Sequence, residues 1–290
     1  MDTTRIRITD SELEQRIHLF ETPLKENEVV AKVEQVEDES RLLEEHRQLY
    51  ADSINIPSWR EVVLALPASN PQVDPKNLEF VTTTSYALQA ARKDIPTGII
   101  PLSVDGLVLT SDNKFVYGIR GGDVRSGKVG IVPAGVLTNP NKGTNPVHGS
   151  FYEELREEAG IERDSVEDTL LLGYQTDPNF IKGMHFVLFG KTKYKSSELI
   201  EIHKKAFDVY QKAKESGKTE QDARKSLRDS GLPNIDAWEH KELVFVENNP
   251  AQIKRIVDSG KLAHQGYDYP VLDFGVGALA LYNMFLNKSK

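Results

Sequence analysis

The stretch from Pro133 to Ile161, PAGVLTNPNKGTNPVHGSFYEELREEAGI, constrains this chain more than any other, because its second half packs acidic and basic residues onto a short helix. Ser150 with Glu153 three positions on reads as a capping box, and Gly160 suits a left-handed helix end. The helix is therefore expected from Phe151 to Ala159. Glu154, Glu157 and Glu158 then share one face, while Phe151, Leu155 and Ala159 form an adjacent apolar stripe that can pack on a sheet. Carboxylates at i, i+4 repel by a few tenths of a kcal/mol in water, and by more when partly buried. A hard divalent cation removes that cost. Mg2+ takes oxygen ligands, commonly one or two protein carboxylates with water and phosphate oxygens completing the shell. A run such as EELREE is equally the mark of an exposed, solvated helix, so its flanks must decide.

The flanks read as sheet. GLVLTSDNKFVYGIR is two β-runs about a turn-forming SDNK, and VGIVPAG is an apolar strand entering a loop rich in Asn, Pro, Gly and Thr. That loop, Gly135 to Gly149, is expected to be surface loop with neither strand nor helix. Downstream, TLLLGYQ and MHFVLFGKT read as two more strands.

At these residues the sequence resembles the Nudix hydrolase family, whose signature is G-x5-E-x7-R-E-U-x-E-E-x-G-U with U aliphatic. Glu154 to Ile161 supply E-U-x-E-E-x-G-U. Glu153 stands where the signature has Arg, and Gly135 lies eighteen residues before it (153 minus 135), four more than the family's fourteen. The resemblance implies an α/β fold, the Nudix α/β/α sandwich with a mixed sheet. It also implies Mg2+, or Mn2+ in its place, held by Glu154, Glu157, Glu158 and the backbone carbonyl of Gly135. Many Nudix enzymes add a late carboxylate as base or ligand; Glu239 and Glu242 are the candidates, with Glu239 preferred, and Glu157 orients water or binds metal. His148, just before the expected helix, is a weaker candidate for proton transfer or phosphate binding.

The remaining sequence extends this layout. Residues 1–96 read as a smaller N-terminal α+β unit: RIRIT and EVVAKVEQVED as strands, SRLLEEHRQLYADS as a helix with Leu42, Leu43, His46, Leu49 and Tyr50 inward, REVVLALPA as strand and YALQAARK as helix. In that last helix Arg92 and Lys93 read as solvated cations at a helix end, the alternative being phosphate contacts. Residues 97–290 form the Nudix-like domain, opening with the nearly continuous apolar run TGIIPLSVDGLVLT and interrupted by a helical insertion at about 194–237. Arg120 and Arg125 flank a glycine-rich connection suited to phosphate oxygens. The insertion either covers the substrate pocket or makes a homodimer contact. DYPVLDFGVGALALYNMFLNK reads as a buried final helix in which Gly275 and Gly277 allow close packing. With the altered first half of the signature, the layout is similar to the Nudix subgroup that hydrolyses UDP-glucose and UDP-galactose.

Composition narrows the function class. The sequence has no cysteine, which excludes disulfides and thiolate chemistry and fits an intracellular, cytoplasmic protein. No apolar run reaches the ~20 residues of a membrane span. A net charge of −8 disfavours non-specific nucleic-acid binding but not a small nucleotide, whose charge a metal and local cations offset. The expected activity is Mg2+-dependent hydrolysis of a nucleoside diphosphate linked to another group, giving a nucleoside monophosphate and phospho-X. The alternative is a nucleotide-binding regulatory protein that kept the fold and lost the activity.

Overall fold

The apolar run after Thr97 becomes a strand, β5 (Ile99–Leu109), whose last nine residues are all buried. A strand covered on both faces needs apolar residues at successive positions and not only at alternate ones, and this run supplies them except at Ser103 and Asp105. This computed structural model describes residues 16–34, 36–54, 61–69, 73–121, 125–138, 145–177 and 181–288, and in it the chain is an α/β fold. Before β5 come β1 (Ile17–Lys25), β2 (Ala31–Glu34), α1 (Glu39–Tyr50), β3 (Val62–Pro67), β4 (Leu78–Thr84) and α2 (Ser85–Arg92). After it come β6 (Lys114–Arg120), β7 (Val129–Ile131), β8 (Ala134–Val136), α3 (Pro146–Ala159), β9 (Val166–Asp177) and β10 (Ile181–Thr192). The chain continues through α4 (Ser196–Glu215), α5 (Glu220–Arg228), β11 (His240–Glu247), α6 (Pro250–Ser259), the hairpin β12 (Lys261–His264) and β13 (Tyr267–Pro270), and α7 (Asp273–Lys288).

Eleven strands join in one curled mixed sheet, ordered β1-β9-β10-β5-β3-β4-β2, with β6 and β8 also paired to β5, and with β7 and β11 paired to β6. β10 runs parallel to β5 from Met184↔Leu102 to Lys191↔Leu109 and antiparallel to β9. Strands from residues before 97 enter this same sheet: β3 pairs with the start of β5, and β1 with β9. RIRIT lies outside the described residues.

Alternation along β5 divides the core between two faces. Leu107 and Leu109 meet Tyr117, Leu172, Val187 and α7, including Leu279 and Leu281, while Val104 and Val108 meet Phe151, Leu155 and Ala159 of α3 with Phe186 and Leu188. α7 lies close to the sheet because it carries glycine at the contact: a side chain at Gly277 would run into the Gln175 amide. Gln175 itself belongs to a buried polar group in which its Nε2 donates to Asp105 Oδ2 (2.9 Å) and to the Phe274 carbonyl (2.8 Å). The Asp105 carboxylate also faces His185 Nδ1 at 3.0 Å.

Three expectations are corrected. The helix carrying the glutamates starts at Pro146, not Phe151, and its N-cap is Asn145, whose side chain accepts from Val147 N and His148 N. Asn-Pro is the stronger start signal, since proline at the first helical position gives up no hydrogen bond. Ser150 lies buried within the helix and ties it to the preceding loop, accepting from Thr138 N at 2.9 Å and donating to Thr138 O at 3.2 Å. The stretch Gly135–Gly149 is consequently not all loop: Gly135 and Val136 are strand and Pro146–Gly149 helix, with residues 139–144 outside the described part. In α1, Leu49 faces solvent at 67% exposure and only Tyr50 is fully buried, because the helix packs by one edge on α2 and β4.

Candidate functional site

α3 turns its acidic face toward β8 and the 3₁₀ turn Ala237–Glu239, which is tied to β6 through Arg120. Leu155 and Ala159 fix the rotation of the helix by packing into the sheet, and this turns Glu154 and Glu158 toward β8. Glu158 is 2% exposed and one of its oxygens accepts the Ala134 backbone N–H at 3.1 Å. Glu154 packs against Gly135, where any side chain would run into its carboxyl group. That close approach is the physical reason for glycine at 135. Glu239 meets Arg120 in a 2.7 Å ion pair, and the Glu239 carbonyl accepts the Gly121 N–H at 2.9 Å. The helix, the strand before it and the turn after the insertion thus bring Glu154, Glu158, Glu239, Gly135 and Arg120 to one place.

The electrostatics of the group are those of crowded acids short of positive charge. Burial pushes Glu158 up to about 8, against the lowering influence of Arg120 and of the Ala134 N–H. Burial, followed by the negative charge of Asp236 and Glu153, raises Glu157 to about 7. Glu154 is raised well above the ordinary carboxylate range by burial and then by Glu158, Glu239 and Glu157. Glu239 is raised by burial and by Glu158, with Arg120 working in the opposite direction. Carboxylates crowded in this way repel one another, and a cation among them would offset that cost. Oxygens of Glu158 and Glu239 and a ring nitrogen of His240 lie within 4.8 Å of one another. The donor set, rich in carboxylate oxygen with one imidazole, fits a hard divalent ion such as Mg2+ or Mn2+.

Other candidates fall elsewhere. Glu157 sits at the edge of the cluster, with its carboxylate 2.8 Å from Arg156 Nη2. Glu242, indistinguishable from Glu239 by spacing, is turned away by an irregularity in the β11–β6 register and pairs with His264 Nε2 at 3.0 Å. Arg125, with φ +60°, holds its guanidinium 5.5 Å over the Phe274 ring and not in the acidic group. Arg92 is not a fully solvated cation: its Nε is buried without a hydrogen-bond partner, and burial with the nearby Arg125 lowers the side chain to about 10. His148 is enclosed within α3 at 0% exposure, and burial holds it down to about 4. Glu153, standing where the signature has Arg, accepts from the Thr138 hydroxyl at 3.1 Å.

Two residues of the group carried no sequence signal. His240 is fully enclosed, with a ring nitrogen 3.8 Å from Glu158. Asp236 bears on Glu154, Glu157, Glu158 and Glu239 alike, raising each. It lies 78 residues after Glu158 (236 minus 158), across the insertion, and no local pattern joins them.

No family model and no curated protein matches the chain. Solved structures are similar to it at low identity. A Deinococcus radiodurans protein overlaps 77% of this chain and 99% of its own at 10% identity and a TM-score of 0.41. A MutT protein from Methanosarcina mazei Go1 overlaps 65% of this chain and 95% of its own at 12% identity and a TM-score of 0.34. A mutT/nudix family protein from Listeria innocua gives 65% and 95% at 10% identity and a TM-score of 0.36. At such identities the chemistry has to be decided by the residues of the site itself.

Proposed function

We propose that this protein is a divalent-metal-dependent pyrophosphatase of the Nudix type. It hydrolyses a nucleoside diphosphate linked to another group, an NDP-sugar such as UDP-glucose, to a nucleoside monophosphate and phospho-X. The observation that carries this reading is the meeting of Glu154 and Glu158 from one helix with Glu239 from a turn some eighty residues later, with Arg120 paired to Glu239.

Glu154 and Glu158 would hold the ion, while Glu157 at the rim orients water and Glu239 stands beside them as the base. A divalent ion bound there lowers the pKa of coordinated water and offsets charge on the diphosphate. The chain's own groups supply the rest. The Ala134 N–H fixes one Glu158 oxygen, so the carboxylate enters the reaction already oriented. Arg120 holds Glu239 by one carboxylate oxygen, and the other would accept the proton of the attacking water. Arg120 can exchange Glu239 for a phosphate oxygen when substrate enters, a bidentate geometry for which guanidinium is suited. On this reading Arg125, on the loop that leaves β6, contacts a more distant phosphate oxygen.

The 2.7 Å closure of Arg120 on Glu239 also favours a second reading, a binding protein in which that pair keeps the base engaged. One measurement separates the two. Nucleotide-linked compounds are incubated with the protein and Mg2+ or Mn2+ and the products are weighed by mass spectrometry. A nucleoside monophosphate with phospho-X supports the enzyme; calorimetric binding of an NDP-sugar with no product after long incubation supports the binding protein. Localisation in the cytoplasm and a homodimer remain part of this proposal; among the described residues no helix is long and apolar enough to cross a membrane.

A further inference from the structure

The helical insertion ends in the turn that carries Glu239, and it packs on that turn with both apolar and polar contacts. α5 buries only Ala223 and Leu227, and the insertion's small apolar cluster is Ala206, Leu227 and Ala237 with a few half-buried neighbours. Its polar contacts converge on residues 236–239. The Arg224 guanidinium lies over the Trp238 ring with Cζ 3.4 Å from the ring centroid. Glu220 sets the plane of that guanidinium by accepting from Arg224 Nε at 2.9 Å. Glu220 is itself fixed by the Tyr210 hydroxyl at 2.8 Å and by Lys214 Nζ at 3.0 Å. At the edge of the ring, Trp238 Nε1 donates to Asp236 Oδ1 at 3.0 Å. The Asp236 N–H in turn donates to the Glu157 carbonyl in α3 at 2.9 Å, and His203 Nε2 lies 3.2 Å from the Ala237 carbonyl.

A three-residue 3₁₀ turn has little stiffness of its own. This one is bounded by α5 through Trp238, α4 through Ala237, α3 through Asp236 and β6 through Glu239. Stacking of a guanidinium on indole is the best-suited cation–π pair, and it is strengthened here because Trp238 is half-buried and Arg224 mostly covered.

We propose that Arg224 and Trp238 form a clamp through which the helical insertion sets the position of Asp236 and Glu239, making Arg224 a positioning residue for the metal-dependent reaction. This rests on the pyrophosphatase reading given above. Ligand sets are ordinarily oriented by outer partners of this kind, and loss of such a partner costs about 10- to 100-fold in metal affinity or activity.

The test uses the full chain and the variants Arg224→Ala, Arg224→Lys and Trp238→Phe, measuring kcat and KM on an NDP-sugar with Mg2+, Mn2+ affinity by calorimetry without substrate, and thermal unfolding. Arg224→Ala is expected to lower kcat by about 10-fold or more and weaken Mn2+ binding while KM stays within about twofold. Arg224→Lys, which keeps a cation over the indole, is expected to recover much of both, while Trp238→Phe, which loses the N–H to Asp236, is expected to fall toward Arg224→Ala. Arg224→Ala with kcat and Mn2+ affinity unchanged, or a lysine variant no better than alanine, overturns the clamp. If the parent chain binds Mn2+ but turns over nothing, the pyrophosphatase reading fails and Mn2+ affinity alone decides the clamp. A parent chain that binds no Mn2+ overturns both.

Discussion

Glu158 shows how much a single side chain depends on its surroundings. Alone on an exposed helix it would be an ordinary carboxylate; here burial, with Asp236 and Asp105 adding to it and Arg120 working against, pushes it up to about 8. In the metal-free protein the native state therefore holds this proton between about pH 4.5 and 8 while the unfolded chain has released it, so stability falls as pH rises through that window and is level above it. Glu158→Gln removes that slope: urea unfolding in chelator at pH 5 and pH 8 should show a smaller loss of stability in the variant than in the parent, and equal losses would refute the assignment. The same variant should lose about 100-fold or more of its metal-dependent turnover, because a ligand is gone and not merely displaced. Gly135 makes the complementary case. A methyl group there meets the Glu154 carboxyl, so Gly135→Ala should displace that carboxylate, weaken Mn2+ binding in calorimetry, and cost about 1–3 kcal/mol in denaturant unfolding as overpacking does.

Among the elements, α3 is where local and tertiary signals meet. Its apolar stripe and its glycine end are legible in the sequence, and Gly160 takes the left-handed conformation expected of it, with φ +69°. The helix begins five residues before its apparent start (151 minus 146), because Ser150 and Glu153 imitate a capping box and nothing local reveals that both are claimed by Thr138. Asn145 performs two tasks, capping the helix and donating from Nδ2 to the Val29 carbonyl at 2.8 Å. Asn145→Ala should therefore cost about 1–2 kcal/mol, at the upper end for a cap, measured as a shift in denaturant midpoint with an unchanged slope. Leu155→Ala, which empties a fully buried position between α3 and the sheet, should cost about 2–5 kcal/mol and lower metal affinity as well, since the rotation of the helix aims the glutamates.

For the whole molecule, the metal is expected to act on stability as any native-state ligand does. Added Mg2+ should raise the melting temperature by more at pH 8 than at pH 6, because at pH 6 it must displace protons from Glu157 and Glu158. A pH-independent rise would mean that the ion binds elsewhere. The sequence by itself determined the strands about the SDNK turn, the helical insertion, the apolar last helix and the acidic face of α3, because each follows from residue periodicity and local steric preference within a dozen or so residues. Only the tertiary structure decided that strands from before residue 97 join the same sheet, that Glu239 and not Glu242 meets Glu158, that Arg120 closes on Glu239 while Arg125 lies over Phe274, and that Asp236 and His240 belong to the group. Those facts depend on strand register and on chain crossings between residues far apart in sequence, and periodicity carries no information about either.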